Sequence, residues 1–277
     1  MRRESFPSGK QLYPRKCYFI RKTLKPAPMK HKFFPVILFL VFPILLPAQE
    51  KRIYHSSGGE IIFSGADVEY IGQSINTNVR FTLFFHTQHH VNLDLNNNIG
   101  LFTGFGIRNI GLIKEDEYQN IGFMGVDLDH PDYNKNAKIK RRSYSLGFPV
   151  ALKLGSFRDH FFLYGGYEYE WMFHYKQKLF IDGEKHKFKE WTSDRVNSWI
   201  PAVFGGIQFP GGLNLKFKYY LEDFLNPGFT GTDFDEPVDY SNYTSSRIWY
   251  ISVSFMINRK LVRKWMGGNE ETTAMTF

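Results

Sequence analysis

The chain has 277 residues, of which 18% are aromatic, and carries a formal net charge of +8 at pH 7. Nearly all of the positive charge lies in residues 1–32, which hold ten Lys and Arg and one acid, so the other residues hold 25 bases and 26 acids. This balance excludes the broad basic surface that is typical of nucleic-acid-binding proteins. We therefore expect no nucleic-acid partner.

The N-terminal region has the three parts of a secretory signal peptide. The apolar residues 33–46 follow the basic residues 30–32 and precede the small residue Ala48. This run is shorter than the roughly 20 apolar residues of a membrane-spanning helix. Met29 is the expected true start, and cleavage is expected after Ala48. The only cysteine, Cys17, precedes both positions, so the mature chain is expected to have no disulfide.

Eight segments downstream are predicted to be strands. The test is whether one face is apolar while the other is polar or small. In the later segments the pattern is clear: Leu215 and Phe217, for example, alternate with Lys216 and Lys218. The first three are weaker, and a β-bulge is expected near Thr87 and His89. In chain order the predicted strands are residues 60–71, 79–95, 99–113, 143–154, 161–176, 198–209, 213–221 and 247–257.

Short and long connections alternate between these segments. Those at 96–98, 156–159 and 210–212 are short, whereas 72–78, 114–141, 177–194 and 226–246 are long and polar. Short periplasmic turns and long exterior loops are typical of transmembrane barrels. The chain is thus predicted to be all-β, an eight-stranded antiparallel up-and-down transmembrane β-barrel in the outer membrane. Eight strands leave an interior that side chains fill, so an open pore is not expected.

Three parts of the chain follow from this interpretation. Residues 1–48 are the predicted N-terminal extension plus signal peptide, 49–258 the outer-membrane β-barrel, and 259–277 a short periplasmic tail. Alternation alone does not say which face points outward. The alternative that remains open is a soluble lipocalin-like ligand-binding barrel, in which the apolar face would point inward.

The pattern resembles the outer-membrane β-barrel domain family, the small barrels of OmpA and OmpX type with PorT-like relatives. Residues 29–48, 80–85, 96–98, 104–111 and 247–257 carry the resemblance. It implies a structural, binding or transport- and assembly-related role, with outer-membrane lipid and the barrel-assembly machinery as partners and an envelope protein as a further partner through the loops. The chain departs from the usual pattern because about 20 residues follow the closing strand.

Charged residues of both signs are expected to point into the lumen. Charges removed from water are costly unless they are paired, so we expect a salt-bridge network that closes the barrel. The candidate members are Arg80, Asp94, Arg108, Lys153, Glu168, Glu170, Lys216 and Lys218. We expect no catalytic, cofactor-binding or metal site, no cofactor and no enzymatic activity.

Two chemical alternatives compete with this expectation. His86, His90 and Asp94 share a strand face and could approach a metal ion, but ordinary lumen hydrogen bonding is favoured. A lipid-modifying hydrolase or acyltransferase would need Ser, His and an acid together on the outer surface. His174 shares a predicted inner face with Glu168 and Glu170, so it does not meet that requirement. Acidic residues in the loops are interpreted as solvated charge and not as a Ca²⁺ site.

Overall fold

The computed structural model describes residues 52–258 and 262, and the fold there is almost entirely antiparallel β-structure. The predicted signal peptide, the start at Met29 and nearly all of the tail 259–277 lie outside the described residues. Three short 3-10 helices, Tyr118–Asn120, Pro210–Gly212 and Tyr240–Asn242, lie in connections. The strands are β1 (Arg52–Tyr70), β2 (Gln73–Ile75), β3 (Arg80–Thr82), β4 (Thr87–Asp94), β5 (Ile99–Glu117), β6 (Asn136–Ser156), β7 (Phe161–Ile181), β8 (Glu184–Trp191), β9 (Trp199–Gln208), β10 (Leu213–Tyr220), β11 (Thr230–Asp233), β12 (Glu236–Asp239) and β13 (Tyr243–Asn258).

Eight of these strands form a closed ring. The hydrogen-bonded order is β1, β4, β5, β6, β7, β9, β10 and β13, and β13 pairs again with β1. Tyr54 of β1 pairs with a residue of β4, which pairs with a residue of β5, and so on around the ring. This series of paired residues comes back to β1 at Ser64 and not at Tyr54. This offset is the stagger that a closed barrel of tilted strands requires. The predicted eight-stranded antiparallel barrel is confirmed.

One end of the barrel carries only short turns. They join β4 to β5, β6 to β7 and β9 to β10, at the end where β1 begins and β13 finishes. In the first turn the Asn96 side-chain oxygen accepts hydrogen bonds from the backbone N–H groups of Asn98 and Ile99, at 2.8 and 2.7 Å. In the third, Gly211 has a φ of 84°, a conformation that glycine adopts without strain. We call this the turn end.

The apolar face of the strands points out of the barrel. On β10, Leu215 and Phe217 are 41% and 49% exposed, whereas Lys216 and Lys218 are buried. Tyr169 on β7 is 44% exposed. Since successive side chains in a strand point to opposite faces, the apolar rows surround the ring and the polar rows fill it. This is the reverse of a lipocalin, so the soluble ligand-binding alternative is wrong.

At the opposite end the strands continue well past the predicted limits. β5 runs to Glu117, β6 begins at Asn136, and β7 continues to Ile181 before β8 turns back along it. Much of the predicted loops 114–141 and 177–194 is therefore strand, and β11 and β12 form a hairpin inside the predicted loop 226–246. These strands are stable because their inner faces pack in an apolar cluster that includes Ile139, Tyr175 and Leu179.

A bulge in β7 changes which residues face inward. The pairing of β6 with β7 shifts between Tyr144 and Ser145, so Phe173 has no partner in the register. Beyond this point the faces of β7 exchange, since one extra residue inverts a period of two. Tyr175 is buried inside, and His174 and Lys176 lie on the outer face. The prediction that His174 points inward with Glu168 and Glu170 is wrong for this reason.

The second predicted strand, residues 79–95, is interrupted. It consists of β3 and β4, and residues 83–86 between them are not in a strand. Phe85 in this gap has a φ of 65°, which is costly for a bulky side chain. The irregularity was expected near Thr87 and His89, but it lies just before Thr87, and His89 pairs normally with both neighbouring strands.

Candidate functional site

Six charged side chains meet in the middle of the lumen, and Arg108 of β5 is at their centre. Its Nε donates to Glu60 Oε2 at 2.9 Å. Its Nη1 donates to Glu168 Oε1 at 2.5 Å and to Glu170 Oε1 at 3.1 Å. Hydrogen bonds between ionised partners are roughly twice as strong as neutral ones. One guanidinium therefore joins carboxylates from β1 and β7 across the barrel.

Two lysines of β10 complete the group. Lys218 Nζ lies 2.7 Å from Glu168 Oε2 and also contacts Glu170, and Lys216 contacts Glu60. Hydroxyl groups satisfy the remaining acceptors: Tyr220 donates to Glu170 at 2.9 Å and Ser252 to Glu60 at 2.9 Å. The six charged side chains are between 0 and 5% exposed. Three carboxylates and three cations balance, so the central network is neutral as a whole.

Glycines on the lumen wall make room for this network. A Cβ on Gly147 would overlap Glu168 Oε1 and lie 3.0 Å from Arg108 Nη1. A Cβ on Gly106 would lie 2.9 Å from Arg108 Nη2. Both values are tighter than ordinary van der Waals contact. The small residues opposite the apolar face of β5 and β6 thus provide the space in which Arg108 crosses the lumen.

The predicted lumen residues fall into three groups. Arg108, Glu168, Glu170, Lys216 and Lys218 meet in the central network. Lys153 and Asp94 form a second group near the turn end, and Arg80 lies apart from both. A sixth member of the network, Glu60, was absent from the prediction.

Lys153 and Asp94 form a separate pair near the turn end, at 2.7 Å, where Lys153 also donates to Asn92 Oδ1 at 3.1 Å. Arg80 joins neither group, since its Nη1 and Nη2 donate to the backbone and side-chain oxygens of Asn109 at 2.8 and 2.6 Å. Arg80 lies on the short strand β3, beside the interruption.

Apolar layers lie on both sides of the central network. Toward the turn end, Phe102, Tyr164 and Phe204 pack together, and the Tyr164 hydroxyl donates to Asn214 Oδ1 at 2.7 Å. A small cavity opens beside them and is lined by residues that include Tyr54, His90, Gln208 and Met256. Toward the other end, the larger cluster contains Ile110 and Tyr250. The lumen is therefore filled along its length.

A second polar group ties the far end together around Asp233, which is fully buried. Its carboxylate accepts from Arg195 Nε at 2.7 Å, from Gln177 Nε2 at 2.9 Å and from the Tyr240 hydroxyl at 2.8 Å. Burial raises the pKa of Tyr240, so its hydroxyl keeps the proton that it donates. This group joins β7, the β11–β12 hairpin and the segment before β9 into one packed unit.

One polar group interrupts the apolar outer surface. Ser57 Oγ and His89 Nδ1 lie 2.8 Å apart, and His89 Nε2 lies 3.2 Å from His55 Nδ1. The two imidazoles stack, with centroids 5.3 Å apart. His89 is thus placed between a hydroxyl and a second imidazole, which is the connectivity of a nucleophile, a base and an orienting group. Sequence reasoning missed this group because Ser57 precedes the predicted first strand.

Within residues 52–258 no three His, Cys, Asp or Glu side chains are grouped so that they could hold a metal ion. His86 is buried on the lumen side, where His90 is half-buried, and neither ring nitrogen of His86 has a hydrogen-bond partner in this part of the chain. In the segment that the structure describes, no helix has the length and apolar composition of a membrane span.

A closed barrel with an apolar outer belt and a polar, filled interior is a transmembrane β-barrel of the outer-membrane type. The belt would be unstable in water but matches the hydrocarbon of a bilayer, so the protein lies in the outer membrane.

Solved structures similar to this chain include three that each align with 74% of it. They are the attachment invasion locus protein Ail of Yersinia pestis with the heparin analogue sucrose octasulfate (12% identity, 99% of that chain, TM-score 0.32), Neisserial surface protein A (8%, 96%, 0.32) and the outer membrane protein OprG of Pseudomonas aeruginosa (12%, 95%, 0.30). At these identities and TM-scores the likeness carries no argument about function. No protein-family model matches the chain, and no curated protein matches it.

Proposed function

We propose that this protein is a non-enzymatic outer-membrane barrel that acts by binding at its extracellular end and does not conduct solutes. The observation that carries the proposal is the filling of the lumen. The neutral network around Arg108 lies between two apolar layers, one around Phe102 and one around Tyr250. A solute crossing the barrel would have to open all three.

The central network resists opening for electrostatic reasons. Separating Arg108 from its carboxylates would leave buried, uncompensated charge, which costs about 3–5 kcal/mol in typical proteins. Displacing the apolar layers would expose surface at about 25 cal/mol per Å². A solute crossing the lumen would have to overcome both costs, so the resting barrel is closed to solutes.

The extracellular extension, which we define as residues 113–141, 175–197 and 222–246, supports a binding role. It is built from strand prolongations and the β11–β12 hairpin, and the group around Asp233 fixes them. Large apolar side chains remain on its surface, with Leu128 79% and Met124 41% exposed. Exposed apolar side chains on a rigid support are typical of interaction surfaces.

Liposome swelling tests the proposal. Proteoliposomes with the purified protein should swell in small sugars no faster than protein-free liposomes, while a 16-stranded porin at equal protein content gives rapid swelling. Heat-modifiable migration on gels verifies that the protein inserted. Swelling at a rate comparable to that of the porin would overturn the closed-lumen proposal.

A second candidate function, hydrolysis of a lipid ester, is favoured by the group of Ser57, His89 and His55. In this reaction Ser57 Oγ would attack the acyl carbonyl and pass its proton to His89, the alcohol would leave with that proton, and water would then release the fatty acid. We rank it second because no carboxylate contacts this group within the described strands. Mass spectrometry of phospholipids incubated with wild type and with Ser57→Ala tests it: fatty acid released by wild type alone supports hydrolysis, and unchanged lipids eliminate it.

A further inference from the structure

Two rows of cations cross the outer face of three neighbouring strands beyond the apolar belt. In the first, Arg142 of β6 pairs with Lys176 of β7, which pairs with Lys189 of β8. In the second, Lys140, Lys178 and Lys187 are aligned in the same way. All six side chains lie on the solvent side of the sheet, and none is buried. We call these six residues the basic rows.

Within residues 52–258 no carboxylate is paired with the basic rows. Among residues 52–258 none of the six forms an ion pair, and Glu115, an acid close to Lys140, is paired with Lys138 at 2.8 Å. Like charges that face each other directly across strands are destabilising. Such an arrangement is stable when an anionic partner lies against it, because that partner converts repulsion into attraction.

The position of the basic rows identifies the kind of partner. The row next to them toward the membrane is Tyr144, His174 and Trp191, whose rings lie in contact along the same outer face. Aromatic side chains of this kind mark the membrane interface. At roughly 3.3 Å per residue, Arg142 lies only about 7 Å beyond Tyr144 along the strand. The basic rows are therefore at the level of the lipid headgroups.

We propose that the basic rows bind the phosphate groups of a lipid headgroup in the outer leaflet. The rows face sideways, in the same direction as the lipid-exposed side chains Phe148 and Tyr169, and not toward the tip of the extracellular extension. A headgroup anchored in the bilayer lies against such a surface, whereas a soluble polyanion approaches from the tip. Each Lys or Arg near an anionic membrane surface contributes about 1 kcal/mol.

This inference rests on the membrane position of the barrel and is independent of whether the lumen conducts. Liposome swelling therefore tests only whether the lumen is closed. Lipid-binding affinity tests only whether the basic rows bind a headgroup phosphate.

The double variant Lys187→Gln/Lys189→Gln tests the inference, because both side chains are exposed on β8 at the edge of the sheet. The matched control, Lys135→Gln/Arg158→Gln, removes two charges outside the basic rows. Native mass spectrometry in detergent gives the dissociation constants for diphosphoryl lipid A, for dephosphorylated lipid A and for inorganic pyrophosphate. Gel heat-modifiability verifies folding, and the single variant Lys189→Gln replaces the double variant should that one not fold.

We expect wild type and the control to bind diphosphoryl lipid A about tenfold or more tightly than the dephosphorylated form. The double variant should lose about 30-fold in affinity for the phosphorylated lipid, and Lys189→Gln alone about fivefold. Equal affinity for the two lipid forms, or an equal loss in the control, would overturn the proposal. If pyrophosphate binds as tightly as diphosphoryl lipid A, the basic rows bind soluble phosphates and the lipid proposal is overturned.

Discussion

Arg108 is the side chain on which the charge balance of the central network depends. Its guanidinium contacts three carboxylates that come from two different strands. The two lysines of the network each contact one or two of the same carboxylates. Removing the guanidinium leaves three buried carboxylates and two cations. The resulting unpaired charge has no access to water, since the network is closed on both sides by apolar layers.

We therefore predict that Arg108→Met lowers the free energy of unfolding by about 3–5 kcal/mol. Urea titration in lipid vesicles, followed by tryptophan fluorescence, measures the change. The control is Lys138→Met, which breaks the exposed pair with Glu115 and should cost no more than about 1 kcal/mol. A loss in Arg108→Met no larger than in the control would show that the network does not hold the lumen as described.

A second prediction concerns the space around the same guanidinium. Gly147→Ala places a methyl group against Glu168 and Arg108 and should destabilise the barrel by about 1–3 kcal/mol. Gly205→Ala is the matched control, because its nearest neighbour, the Tyr164 carbonyl oxygen, would lie at an ordinary 3.6 Å. The two variants are compared by the same urea titration. Equal stability of the two would mean that the lumen wall at Gly147 is not in tight contact.

Most of the central network could be predicted from the sequence because its members alternate with apolar residues on clearly patterned strands, as Lys216 and Lys218 do with Phe217. Glu60 could not. The residues beside it, Gly58 and Gly59, have no side chain with which to mark a face, so alternation gave no direction for this part of β1. Arg80 has the right charge, but the interrupted strand places it beside Asn109. Pairing across a barrel depends on register, which single-strand patterns do not contain.

At the scale of elements, β10 has the simplest relation between sequence and environment. Its outward residues face lipid, so Leu215→Arg should cost about 2–4 kcal/mol in vesicles if the position lies near the bilayer midplane. Leu128→Arg, at an exposed position outside the strands, should change stability by no more than about 0.5 kcal/mol. Urea titration compares the two. A variant at Leu215 as stable as the one at Leu128 would place this face in water.

The ends of the strands were less predictable than their middles. The outer face of β7 changes from apolar to basic at His174 and Lys176. A sequence with polar residues on this face is easily taken for a loop. The bulge at Phe173 adds to the difficulty, since it inverts the pattern within one strand. What keeps β7 extended is the packing of Tyr175 and Leu179 on partners more than 50 residues distant, such as Tyr240. Such long-range contacts override local signals.

At the scale of the whole molecule, the number of strands, the short-turn end and the outward apolar face followed from the spacing and alternation of residues. A transmembrane barrel is constrained more tightly than a soluble sheet, since every backbone group inside the hydrocarbon must be paired and no edge strand can remain. Because of this constraint, eight membrane-spanning strands with alternating apolar and polar residues must form a closed barrel. The constraint does not determine what the proposed binding surface recognises, which depends on the particular side chains of the extracellular extension.

The central claim is that the apolar rows touch acyl chains, and spin-label accessibility measures this directly. The only cysteine, Cys17, precedes the barrel segment and can be replaced by serine, so single cysteines at Tyr169, Leu215, Phe217 and Val253 can each carry a label. In vesicles all four labels should be relaxed strongly by oxygen and weakly by a water-soluble nickel complex, and a label at Leu128 should show the reverse. Labels at the four positions that are accessible mainly to nickel, or to neither reagent, would contradict the account.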